Sequence, residues 1–239
     1  MTTSRTFQTN IDAPDVVTTG VTSSNSLPPI TLYMIGDSTM ADKPADRMAV
    51  EQGWGQRMPE FVNSKANISN HAQNGRSSRS FIEEGLWTIV LNSLQPDDWV
   101  IIQFGHNDNK DDPARHTDPF TTYAANLRMF AKETRAKGAH PIICTSIVRG
   151  SFTGDGVLVN THGDYLEAAI MVAQELNLPL LDLEKDSAEL VTSLWPSQLK
   201  EFYVPEDNSH LTPWGAAQVA EMAAGRIREQ NLLLAAYLK

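Results

Sequence analysis

The chain has 239 residues, 41% of them hydrophobic and 20% charged, and carries a formal net charge of -10 at pH 7. That acidic balance excludes nucleic acid as a partner, because phosphate binding needs clustered Lys and Arg. No apolar run approaches the roughly 18 residues of a membrane span, and the single cysteine, Cys144, excludes an intrachain disulfide and a cysteine-based zinc site.

Residues 1–29 are rich in Thr and Ser and close on Leu27-Pro28-Pro29. They read as a polar N-terminal extension, with a short edge strand near residues 11–17. No apolar leader core stands in them, so the expected location is cytoplasmic; a secreted form stripped of its leader reads the same way. From Ile30 on, apolar runs of strand length alternate with segments of helical period. Strands are expected at residues 30–35, 66–70, 99–104, 141–147 and 178–183, and helices at 54–64, 80–94, 121–137, 164–177, 185–195 and 213–230. Tyr165, Ala168, Ala169, Val172 and Leu176 form an amphipathic stripe at spacings of three and four. Thr212 and Pro213 make a start signal for the last helix. Cys144, inside an apolar run, reads as a buried and inert thiol.

Continuous apolar strands alternating with helices imply a parallel sheet covered on both faces. The expectation is one α/β domain over residues 30–239, a three-layer α/β/α sandwich around a central parallel sheet. In such sheets ligands bind beyond the carboxyl ends of the strands. Gly36-Asp37-Ser38 follows the first strand and Gly105-His106-Asn107-Asp108 the third, so topology brings both to one rim.

An exposed serine at a strand end becomes a nucleophile when a base takes its proton and a carboxylate orients that base. Gly-x-Ser-x-Gly is absent, which argues against an ordinary nucleophile elbow. Among six histidines, His210 stands three residues after Asp207 in a loop before the last helix, so one loop can supply both acid and base. The plain alternative is a polar helix start. Asn107 offers a side-chain amide and Gly75, in Asn74-Gly75-Arg76-Ser77-Ser78, a backbone N–H for an oxyanion. Taken singly, each is also an ordinary turn or polar loop.

Together the four blocks, Gly36-Asp37-Ser38, Asn74-Gly75-Arg76-Ser77, Gly105-His106-Asn107-Asp108 and Asp207-Asn208-Ser209-His210, resemble the SGNH (GDSL-like) hydrolase superfamily in content and order. The resemblance runs from about residue 30 to the C-terminus. Within it, "GDSTMADKP", "NGRSSRSF", "FGHND" and "HLTPWGA" look most like the rhamnogalacturonan acetylesterase group. It implies a flavodoxin-like sandwich, Ser38 as nucleophile, His210 as base and Asp207 as its orienting acid. Ser38, Gly75 and Asn107 would hold the oxyanion. The implied reaction removes acetyl groups from acetylated pectic oligosaccharides through an acetyl-enzyme, with no metal or other cofactor. Secreted fungal members carry disulfides, which this chain cannot form, and that implies imported oligosaccharides rather than polymeric pectin.

Arg76, Trp54, His71 and His106 are candidate sugar contacts, with Arg79 beside them; each has an equally plain structural role. Asp37 and Asp108 read as acceptors that brace their loops. Three other readings stay open: an esterase, lipase, thioesterase or acetylxylan esterase of the same superfamily; a non-catalytic carbohydrate binder; and a metallophosphoesterase, for which an Asp-x-His ligand pair is missing.

Overall fold

In the computed structural model, which describes residues 27–239, the run Ile30–Gly36 forms the first strand, β1. Its side chains alternate between two apolar layers. Leu32 and Met34 face one, Tyr33 and Ile35 the other, as a strand buried on both faces requires. Ala66–Asn70 (β2), Trp99–Gln103 (β3), His140–Cys144 (β4) and Leu180–Leu181 (β5) complete a parallel sheet of order β2-β1-β3-β4-β5. The expected architecture is the observed one. The extension and its edge strand near residues 11–17 fall mainly on residues 1–26, which lie outside the described residues.

Helices Ser78–Glu83 (α1), Leu86–Ser93 (α2), Ala124–Ala136 (α3) and Asp164–Glu175 (α4) cover one face. Phe81, Trp87, Phe104 and Phe130 interlock there at ring separations of 5.0 to 6.4 Å. Each such ring contributes about 1.5–3 kcal/mol through burial. The other face carries a 3-10 helix at Trp54–Glu60, then Leu183–Leu194 (α5), Leu199–Phe202 (α6) and Pro213–Glu229 (α7). Ala216, Ala220, Ala223 and Ala224 give α7 a flat, small-residue face that seats against the sheet side.

Several boundaries differ from expectation for local reasons. The segment expected as an α-helix from residue 54 is a 3-10 helix ending at Glu60, with Pro59 inside it; proline has no N–H for the α ladder. The helix expected over 80–94 is two helices, broken at Gly85 in the left-handed region (φ 75°). β5 has two residues instead of six, since this edge strand pairs only through Ile143–Leu180 and Cys144–Leu181. Thr212 does cap α7, its hydroxyl accepting the Gly215 N–H at 3.0 Å.

Candidate active site

After β1 the chain steps outward to β2 and returns across β1 to β3, so a crevice opens at the carboxyl ends of β1 and β3. Ser38 sits on the turn leaving β1. The Asp37 carbonyl accepts the N–H groups of Met40 (3.2 Å) and Ala41 (3.0 Å). Asp37 Oδ1 accepts the Thr39 N–H at 2.9 Å and its hydroxyl at 2.8 Å. These bonds fold the turn tightly, with Asp37 and Thr39 buried and Ser38 half-exposed at its crest.

The loop between α6 and α7 comes to the same place. It closes like a hairpin: Tyr203 bridges Leu211, and the Val204 N–H donates to the His210 carbonyl at 2.9 Å. Asp207 Oδ1 accepts the N–H groups of Ser209 (2.7 Å) and His210 (2.9 Å), which leaves Oδ2 for His210 Nδ1 at 2.6 Å. His210 Nε2 then stands 3.0 Å from Ser38 Oγ. Burial pushes the Asp207 carboxyl up, but the hydrogen bonds from the His210 ring and from the two backbone N–H groups outweigh it and hold it below its ordinary value. The charged carboxylate favours the tautomer with the proton on Nδ1, so Nε2 is free to accept from the serine. The side chains of His210 and Asp207 are 35% and 34% exposed, open to a ligand.

Two further candidate groups follow β2 and β3, the strands on either side of β1. Gly75 has φ +77°, a conformation glycine adopts without strain. Asn107 follows Gly105 (φ +142°), where an added Cβ would lie 2.6 Å from Ser146 Oγ. The Asn107 amide donates one hydrogen to the Arg76 carbonyl at 3.0 Å and keeps a second. The N–H groups of Ser38 and Gly75 make no hydrogen bond among the described residues. Ser38, Asp207 and His210 are thus together, and Gly75 and Asn107 are tied through the Asn74–Arg76 loop.

The candidate sugar contacts divide. Trp54 is fully buried beneath the first turn, its Nε1–H donating to Gln103 Oε1 at 2.7 Å, so it braces the sheet rather than meeting a ligand. His106 is 4% exposed and cannot line an open site either; its Nδ1 lies 3.2 Å from His162 Nε2. His71 is half-buried, with its ring on Tyr33 and its Nε2 2.9 Å from Ser69 Oγ. Arg76 remains partly exposed, paired with Glu84 at 2.8 Å, and Arg79 pairs with Glu83 at 2.8 Å.

Beneath the crevice lies a polar layer that sequence reasoning only partly foresaw. Asp108 accepts from the Ser78 N–H (3.1 Å) and the Thr117 hydroxyl (3.0 Å), the bracing expected of it. Burial raises its carboxyl to about 7, against the pull of those hydrogen bonds. Burial also raises Asp37 and lowers His106, while His162 falls to about 2 through burial and the charges nearby. Arg149 donates to the His106 carbonyl at 2.9 Å. Lys43 is likewise buried beside Ser38, and nothing in its sequence context signals this. No group of three or more His, Cys, Asp or Glu among the described residues is placed to hold a metal. Nor is any helix among them long and apolar enough to cross a membrane.

The model of the GDSL-like lipase/acylhydrolase family matches residues 34–218. Rhamnogalacturonan acetylesterase RhgT of Bacillus subtilis is 35% identical over 88% of this chain and 94% of its own. The probable rhamnogalacturonan acetylesterase YesY of the same organism is 34% identical over 85% of this chain and 94% of its own. The crystal structure of the Bacillus subtilis protein YxiM superposes with a TM-score of 0.78 at 26% identity, over 87% of this chain and 58% of that one.

Proposed function

The chain belongs to the GDSL-like lipase/acylhydrolase family, and from that membership we propose a serine esterase that removes acetyl groups from small acetylated oligosaccharides of the rhamnogalacturonan type. Ser38 Oγ attacks the acetyl carbonyl while His210 Nε2 takes its proton, with Asp207 holding the Nδ1–H. The N–H groups of Ser38 and Gly75 and the Asn107 amide donate to the oxyanion of the tetrahedral intermediate. Collapse breaks the bond to the sugar oxygen, which takes the proton from His210 and leaves as the sugar hydroxyl, with the acetyl group on Ser38 Oγ. Water then attacks the acetyl-enzyme with His210 as base, and acetate leaves.

The observation that carries the chemistry is the unbroken chain Ser38 Oγ–His210 Nε2 at 3.0 Å and His210 Nδ1–Asp207 Oδ2 at 2.6 Å. The substrate rests on the activity that the two Bacillus subtilis relatives are named for. Arg76, partly exposed beside Gly75, is paired with Glu84 at 2.8 Å, and a uronate would take the place of Glu84 on its guanidinium. We place the reaction in the cytoplasm on imported oligosaccharides; the sole cysteine, Cys144, is buried, so the fold is held without a disulfide.

The test is acetate release from acetylated rhamnogalacturonan oligosaccharides, acetylated xylan oligosaccharides and a p-nitrophenyl acyl series, each with a chelator present. Chelator-resistant acetate release confined to the pectic substrate is the expected result. Turnover of the acyl series alone would overturn the sugar assignment and keep the serine chemistry. No turnover anywhere would overturn both.

A further inference from the structure

Lys43 takes no part in the proton transfers above, yet it is among the most completely enclosed charges in the protein, with its side chain 2% exposed. An ammonium has three hydrogens to donate and accepts none, and it is tolerated in an interior only when all are taken up. Here three acceptors take them. The Ser38 carbonyl lies at 2.7 Å, Asn74 Oδ1 at 2.7 Å and Glu51 Oε1 at 2.9 Å. They come from three separate segments, and each segment serves the site. The first is the turn that carries Ser38. The second is the loop that carries Gly75. The third is the segment around Glu51, whose neighbour Gln52 donates its N–H to the carbonyl of Leu211, the residue after His210.

We propose that Lys43 is a positioning residue for the oxyanion donors: its ammonium holds the Ser38 turn against the Asn74–Arg76 loop so that the N–H groups of Ser38 and Gly75 converge on one point. The proposal rests on the reading of Ser38, Gly75 and Asn107 given above. The Ser38 N–H lies in the peptide plane whose Asp37 carbonyl accepts from Met40 and Ala41, and the ammonium on the Ser38 carbonyl fixes the next plane, so Ser38 is held from both sides. Holding the Asn74 side chain fixes the residue before Gly75, whose carbonyl shares a peptide plane with the Gly75 N–H and itself accepts from Arg76 at 2.9 Å. The far end of the same loop is held by the Asn107 amide on the Arg76 carbonyl at 3.0 Å. The three oxyanion donors are therefore cross-linked, with Gly75 clamped between Lys43 on one side and Asn107 on the other. Glu51, which also accepts from Arg47 at 2.7 Å, balances the ammonium charge. The role of Lys43 is thus one of geometry and not of net charge beside the reaction.

Lys43→Met keeps the stem and removes the head. It should lower kcat by about 10²-fold, the loss that follows a small misplacement of reacting groups, with KM within about twofold of wild type. The inhibition constant of a boronic acid that forms a tetrahedral adduct on the serine should rise by the same factor as kcat/KM falls, a change that lost stability alone does not produce. Asn74→Ala, at an exposed position, removes only the loop's acceptor and covers the case in which Lys43→Met does not fold. It should lower kcat in the same direction with an unchanged Tm, and in a folded double variant the two losses should be less than additive. Wild-type kcat and boronate affinity in Asn74→Ala, or in a folded Lys43→Met, would overturn the proposal. Ser38→Ala is the control: if it still turns over substrate, the nucleophile assignment is what fails. If it is inactive while Lys43→Met matches wild type, only the role of Lys43 fails.

Discussion

Two regions of this protein are built from the same residue types and behave in opposite ways. On the rim, His210 and Asp207 share one loop, with about a third of each side chain exposed, and hold a bond of 2.6 Å aimed at Ser38. A few residues below, Asp37, Asp108, His106 and His162 are shut away from solvent. Backbone donors hold the rim carboxylate in its charged form. In the lower layer burial wins: both acids are raised and both histidines lowered, each shifted toward its uncharged form. An acid beside a histidine is therefore not in itself a catalytic pair. What distinguishes the upper pair is a charged orienting group, an unencumbered Nε2 and a hydroxyl within reach.

Breaking the upper pair should have the largest effect. Asp207→Asn keeps an acceptor for the two backbone N–H groups but favours the wrong imidazole tautomer, and kcat should fall by up to about 10⁴-fold with Tm little changed. A wild-type rate in that variant would mean another acid orients His210. Between the two regions stands Asn107, one residue after buried His106 and donating to the Arg76 carbonyl. Asn107→Ala should cost roughly 10²- to 10³-fold in kcat, the usual loss of one oxyanion donor; an unchanged kcat would remove it from the site.

The lower layer should answer to pH rather than to turnover. Asp108 binds its proton more tightly folded, at about 7, than its ordinary 3.8, so its contribution to stability is full below that ordinary value and is lost as pH rises through 7. His162 falls from 6.5 to about 2, so its contribution is full above 6.5 and is lost as pH falls toward 2. Between these limits the two oppose each other. Asp108→Asn removes the acid's share, and its Tm should therefore drop more steeply than that of wild type from pH 7 to pH 4. Parallel Tm curves would contradict this account of the buried layer.

What could be read from the chain follows the range of the interaction responsible. β1 and β2 were legible because their apolar pattern is local, and α7 because Thr212 and Pro213 mark its start. The site blocks were legible for the same reason: Asp207 and His210 are three residues apart, and Ser38 stands two residues after the end of β1. The break at Gly85 and the 3-10 turn at Trp54–Glu60 were written in Gly85 and Pro59, yet helical periodicity outweighed both in the reading. Long-range burial was not legible. Trp54 and His106 looked like ligand contacts because nothing local shows the sheet closing over them. Lys43 drew no reading from the sequence, because its acceptors lie 5, 8 and 31 residues away.

The most direct test of the central claim is covalent. The protein is treated with a fluorophosphonate, and the labelled peptide is sequenced by mass spectrometry in wild type and in Asp207→Asn. One adduct on Ser38, formed more slowly in the variant, is the expected result; an adduct on any other residue, or none, would contradict the assignment of Ser38 and the pair that activates it.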